Sequence, residues 1–314
     1  MAEERYSFNR KLKLLSFSLM ILGLMGLSFG FITAPKNVQE AREIMSHHDH
    51  GEHHSDKSRI QKDKIDINSV SIMYKSKKEE AEHGASHDEH VFHQLSNKPW
   101  AALYVAAFFF FMISLGTLAF YAINRAAQVG WSPILFRVME GITAYMLPGG
   151  LIVIFILFLS GLHLNHLFIW MDPEVVAHDK IIAAKKGYLN VPFVLARGLF
   201  FLAGWSLYRY FSRKFSLAQD LANDNRNHKK NFRISAGFLV FYIVTESIMS
   251  WDWIMSIDPH WFSTLFGWYV FASMFVSGIS TIALVTIYLK SKGYLKEVND
   301  SHIHDLGKFM FGVS

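Results

Sequence analysis

The residues of this sequence with chemistry to offer are charged side chains set inside apolar runs. Arg137 and Glu140 lie in one such run, a helical turn apart, so they can pair along one helix face. Arg197 and Glu246 fall in two further runs of opposite direction, at similar depth below the same membrane surface, and this predicts an Arg197–Glu246 pair. Asp252 and His260 follow Glu246 in the short segment leading to the next run. A charge within a membrane span costs roughly 2.5–3.5 kcal/mol on insertion scales, so each needs a partner or a task. One task is neutralisation between helices. The other is proton transfer, because a carboxyl group deprived of water shifts upward in pKa and can exchange its proton near neutral pH. On that reading Glu140 serves an inner half-path, and Glu246, Asp252 and His260 serve an outer one. Arg137 and Arg197 then tune the carboxylates by charge pairing.

Histidine is the other conspicuous resource. His163 and His166, spaced i, i+3 after an apolar run, share a face if helical; they can meet a metal or a quinone headgroup, or serve as interfacial polar residues. Two tracts, His47, His48, His50, His53 and His54, then His83, His87, His90 and His93, are interleaved with acidic residues. Imidazole and carboxylate suit transition metals. No fixed ligand spacing recurs, however, so the expectation is a polar, largely irregular excursion, with no metal site assigned. Cysteine is absent, which excludes disulfides, cysteine-ligated iron–sulfur clusters and covalent haem attachment in this chain. No span interior offers a convincing axial histidine for a b-type haem. No catalytic nucleophile stands out either.

The elements that must position these groups are membrane spans. Apolar residues make up 51% of the 314, and they are gathered in runs near the roughly 20 residues a span requires. Six spans are predicted: Leu14–Ile32, Trp100–Ala122, Pro133–Ser160, Pro192–Phe211, Arg233–Trp251 and Phe262–Leu289. A seventh apolar stretch begins near Leu306 as the sequence reaches Ser314. The fold class is thus an all-α polytopic transmembrane helix bundle. It divides into a tail with the first span (1–32), a long His-rich loop (33–99) and a helix bundle (100–314). Leu14–Ile32 is read as a retained span rather than a cleaved signal peptide, since no small-residue cleavage site is clear.

Basic residues cluster at alternate span ends, which places the N-terminus in the cytoplasm. They account for the high pI without any nucleic-acid partner. Ser132–Pro133 and Asp258–Pro259 read as helix caps, and Asp172–Pro173–Glu174 opens a short helix that Lys185–Lys186–Gly187 closes. Pro148–Gly149–Gly150 predicts a kink in the third span. Trp100, Trp131, Trp170, Trp251, Trp253 and Trp261 fall at predicted interfaces, as an aromatic belt.

One stretch is distinctive: SWDWIMSIDPHWFSTLFGWYVF, Ser250 to Phe271. With EGITAYMLPGG (Glu140–Gly150), HLNHLFIWMDPE (His163–Glu174) and the His-rich first loop, it resembles the ActF-type membrane subunits of bacterial alternative complex III. These are quinol:cytochrome c oxidoreductase subunits of the NrfD-like, or polysulfide-reductase membrane-subunit, family. The resemblance covers essentially the whole chain and is most specific at Ser250–Phe271. It implies a bacterial inner-membrane complex in which ubiquinol or menaquinol is oxidised. Electrons would pass to haem c and iron–sulfur clusters in partner subunits, and onward to a cytochrome c or a terminal oxidase. The implied partners are an NrfD-like sister subunit, a multihaem cytochrome c and an iron–sulfur protein, within membrane lipids. Family members continue through further spans beyond the point where this sequence stops. Two rival readings are a structural anchor without its own quinol site, and a metal-ion transporter resting only on the His-rich loop.

Overall fold

The computed structural model describes residues 9–49 and 67–313, and every regular element among them is helical. In chain order these are α1 (Arg10–Thr33), α2 (Val38–Asp49), α3 (Ile67–Ala126), α4 (Phe136–Ile142), α5 (Met146–Gly161), α6 (Pro173–His178), α7 (Lys180–Lys185), α8 (Val191–Asp220), α9 (Arg226–Trp253), α10 (Phe266–Ser291) and α11 (Asp300–Val313). Six stretches are long and apolar enough to cross a membrane: Arg10–Thr33, Val91–Ala126, Pro133–Gly161, Val191–Asp220, Arg226–Ile257 and Phe266–Ser291. The chain is an all-α, multi-pass membrane protein. Several helices outrun the predicted spans, because apolarity marks the lipid-matched length while backbone hydrogen bonding continues past it. The last span instead starts later, at Phe266 rather than Phe262. The helix around Leu306 is only 14 residues long.

Arg10–Leu103 and Tyr104–Ser314 are separate compact units. In the first, α1 buries none of its side chains within the protein, so its apolar surface is left for lipid or another helix. Phe31 meets Trp100 edge to face, with ring centroids 4.9 Å apart. The stretch expected to be irregular is helical over Val38–Asp49 and again from Ile67. A reciprocal cap starts α2: the Asn37 side-chain oxygen accepts the Glu40 N–H at 2.8 Å, and the Glu40 carboxylate accepts the Lys36 N–H at 2.8 Å. His47 and His48 lie on α2, and His83, His87, His90 and His93 on α3; His50, His53 and His54 lie outside the described residues.

In the second unit the core is aromatic. Phe111, Trp205 and Trp253 are fully buried, and Trp253 packs edge to face on Phe108 and Trp205. The Tyr104 hydroxyl donates to the Trp253 carbonyl at 2.6 Å. Trp253 and Trp170 therefore leave the expected aromatic belt: protein, not headgroup, surrounds both, at 0% and 3% exposure. The expected kink at Pro148 is also displaced. Pro148 is the third residue of α5, where its missing N–H has no helical acceptor to lose. The irregularity sits just before it, in the 3-10 turn Thr143–Tyr145.

Two glycines let α3 and α10 touch backbone to backbone. A Cβ on Gly116 would overlap the Met274 carbonyl, and one on Gly278 would stand 2.7 Å from the Thr117 nitrogen. Small residues at such a crossing are how membrane helices gain close packing without a hydrophobic driving force. Gly116→Ala is expected to destabilise the detergent-solubilised protein by about 1–3 kcal/mol, read as a lowered Tm. Gly23→Ala on α1, where the new methyl meets nothing within 4 Å, should leave Tm near wild type. Equal melting of both variants would contradict this crossing.

Candidate functional site

Helices α8 and α9 run antiparallel, and the short connection between them is closed by Gln219. Its amide donates to the Asp224 carbonyl at 2.6 Å and its oxygen accepts the His228 N–H at 2.8 Å. This register brings polar side chains face to face turn after turn. Arg197 meets Asp252; the Trp205 indole N–H donates to Thr245 Oγ1 at 3.0 Å; Tyr208 bonds Ser235 at 2.8 Å; and Ser212 bonds Asn231 at 2.6 Å. Gly204 makes room for the Phe241 ring, and the Tyr208 and Phe238 rings stack 3.9 Å apart between these rungs.

At the α7 end of this seam the Arg197 guanidinium grips Asp252 with two hydrogen bonds, Nε to Oδ2 at 2.7 Å and Nη2 to Oδ1 at 2.9 Å. The Asp252 side chain is completely buried and that of Arg197 is 11% exposed. The Tyr188 and Phe193 rings sandwich the guanidinium at 4.1 Å each. The expected Arg197–Glu246 pair is not formed. Asp252 lies nearer the α7 end of the membrane, level with Arg197, whereas Glu246 is more than a turn deeper. Glu246 is buried without a cation among the described residues. Ser247 Oγ stands 3.5 Å from Oε2, and Oε1 has no partner there. A charge at Glu246 has no counter-ion to offset its desolvation.

The other end of the seam is denser. Glu140 accepts from Arg137 at 2.6 Å and from the Tyr121 hydroxyl at 3.2 Å, and Arg125 stands 3.9 Å away. Arg125 also donates to Tyr121 at 3.1 Å and to Ser216 at 2.9 Å, and its guanidinium lies 3.9 Å over the Phe136 ring. Arg137 bridges onward to Asp220 on α8. From Arg197 to Ser216 α8 advances roughly 28 Å at about 1.5 Å per residue, close to the ~30 Å of bilayer hydrocarbon. The two ion-pair clusters therefore sit near opposite membrane boundaries. Removing one partner of such a buried pair typically costs ~3–5 kcal/mol, since it strands the other charge.

The expected caps fare unevenly. Asp172 accepts the Glu174 N–H at 3.0 Å and opens α6 as expected, but the surface helix breaks at Asp179, which caps α7 through the Ile181 and Ile182 amides. Ser132 makes no capping bond, and Asp258–Pro259 opens no helix: the Asp258 carboxylate accepts the His260 N–H within a turn. His260 Nε2 lies 2.5 Å from Asp179 Oδ2, and Lys185 donates to the Pro259 carbonyl at 2.5 Å, so α7 is clasped to that turn. His163 and His166 share no helical face. Helix α5 ends at Gly161, His163 takes a left-handed φ of 58°, and His166 approaches Asp172 at 3.7 Å.

A cavity of about 390 Å³ opens beside the clasp, lined by Lys185, Tyr188, Trp251, Met255, Ser256 and Trp261 among others. Tyr188 connects it to the Arg197–Asp252 pair. Burial, followed by the Asp252 carboxylate, pushes the Tyr188 phenol above its ordinary pKa. Sequence reasoning missed Tyr121, Arg125 and Tyr188. The i, i+4 spacing of Tyr121 and Arg125 on one helix face was the available signal for the first two. No family model matches the chain, and no curated protein matches it.

The Asp179 carboxyl is held below its ordinary value of 3.8, first by the Ile182 N–H and then by His260. A depressed carboxylate contributes stability above its unfolded pKa and loses it as pH falls through the folded value. Amide exchange at Ile181 and Ile182, corrected for intrinsic rate, is therefore expected to accelerate as pH drops below 3.8. In Asp179→Ala, which has no side-chain acceptor for these amides, it should be fast at every pH. Protection in that variant equal to wild type would show the clasp to be inert.

Proposed function

We propose that this chain is a membrane subunit of a quinol-oxidising respiratory complex of the alternative complex III type, in a bacterial inner membrane. The observation that carries the reading is the apolar cavity backed by Tyr188 and the buried Arg197–Asp252 pair, with a polar seam leading from it across the membrane thickness. With the N-terminus cytoplasmic, the cavity faces the periplasmic side.

Oxidation of a quinol to a quinone releases a pair of electrons and a pair of protons. This chain holds no cysteine, and its part is binding and proton handling, with electrons passing to haem c and iron–sulfur clusters of partner subunits. Trp251, Met255 and Trp261 suit an aromatic headgroup and its apolar tail. Tyr188 and Lys185 offer polar contact at one wall, and they replace His163 and His166, neither of which lines the cavity. Proton movement is assigned to Glu246, the buried carboxyl with no counter-charge. Hydroxyls, which can both accept and donate a proton, lie between it and the inner cluster at Thr245, Ser235, Tyr208 and Ser212, and Ser212 bonds Tyr121, which bonds Glu140. Asp252 holds Arg197 in place, and His260 holds α7.

A structural anchor is the alternative favoured by one feature, the two-bonded Arg197–Asp252 pair, which by itself ties α8 to α9. Gentle detergent purification from native membranes, with subunit mass spectrometry and a visible spectrum, tests the proposal. The expected result is co-purification with a multihaem cytochrome c and an iron–sulfur protein, and haem reduction on adding quinol. Purification of the chain without haem-bearing partners would overturn it.

A further inference from the structure

A second cavity, of about 420 Å³, lies between the Ile169–Met171 turn, α6, α7 and the start of α8. Its wall is largely apolar, with Met171, Val176, Ile182 and Leu189 among its residues, and Lys186 also lines it. The uncommitted polar side chains at its wall are both donors. Trp170 is 3% exposed, and its indole N–H has no acceptor among the described residues. A buried indole N–H normally finds one. Lys186 is exposed and brings an ammonium group to the wall. Asn190, also in the wall, is already committed: its oxygen accepts the Phe193 N–H, and its amide donates to the Lys186 and Gly187 carbonyls. The cavity thus has a cationic donor, Lys186, on an apolar wall, and one of its lining residues, Trp170, carries an unpaired indole N–H.

We infer that this cavity is a binding site for an anionic phospholipid of the surrounding membrane. The phosphate meets Lys186, an ester carbonyl oxygen accepts from Trp170 Nε1–H, and an acyl chain lies along Met171, Val176, Ile182 and Leu189. Position supports this occupant, because α6 and α7 join two membrane spans and so lie at the bilayer boundary, where phosphate and ester groups reside. Chemistry supports it too. A phosphodiester supplies acceptors and a negative charge to answer Lys186, whereas a neutral quinol brings no charge to answer it. Leu189 lines both cavities, but the inference does not rest on the quinol reading.

The test compares wild type, Trp170→Phe, Lys186→Gln and Ala183→Phe, which fills the cavity from α7. Each is purified in mild detergent, stripped of lipid, and titrated with phosphatidylglycerol by native mass spectrometry. Wild type is expected to retain one lipid. Trp170→Phe and Lys186→Gln should each bind about fivefold more weakly, the effect of one net hydrogen bond. Ala183→Phe should bind none at this site while its lipid-free Tm stays unchanged. Equal retention by all four proteins would overturn the inference. So would a wild type that carries quinone in place of phospholipid and loses it in Ala183→Phe.

Discussion

Hydrocarbon offers no hydrogen-bond partner, so a polar side chain placed between membrane helices must be answered by another side chain or by backbone. The α8–α9 seam is built on that constraint. Trp205 answers Thr245, Tyr208 answers Ser235, Ser212 answers Asn231 and Arg197 answers Asp252. Each rung fixes the axial register of the two helices, because a slip of one residue would rotate the donors about 100° away from their acceptors. The aromatic core then packs against helices already in register. Close passage of α10 over Gly116 completes the arrangement from the other side.

This constraint also explains why a poorly answered acid matters. Glu246 is adjacent to Thr245, which is fully engaged, yet its own carboxyl has only a distant hydroxyl. Glu140 is the opposite case. Two arginines and a tyrosine surround it, and it ties α3, α4 and, through Arg137 and Asp220, α8 into one cluster. A loosely held acid in the membrane interior and a firmly held one at its edge are suited to different tasks, exchange for the first and anchoring of a terminus for the second.

Much of this was legible in the residues. The spans, the surface segment opened by Asp172 and the Arg137–Glu140 contact follow from apolar run length, capping chemistry and i, i+3 spacing. The partner of Arg197 was not legible. Choosing between Glu246 and Asp252 requires the offset between two antiparallel helices, and α8 and α9 extend well past their apolar segments. The faces of His163 and His166 were lost for a similar reason, since the helix ends at Gly161 and the chain turns through a left-handed residue. Arg125 reads in sequence as a flanking positive charge, and only the fold turns its guanidinium inward onto Phe136 and Glu140.

The proposed route for protons stands or falls on Glu246. The decisive measurement is the number of protons released per electron by the purified complex in sealed vesicles, comparing wild type, Glu246→Gln and Glu140→Gln at matched rates of quinol oxidation. Proton movement through the seam requires a lower yield in Glu246→Gln while electron transfer continues, with Glu140→Gln reducing both yield and stability. Full proton yield in both variants would remove the seam from proton transfer and leave it as the bond that holds two helices in register.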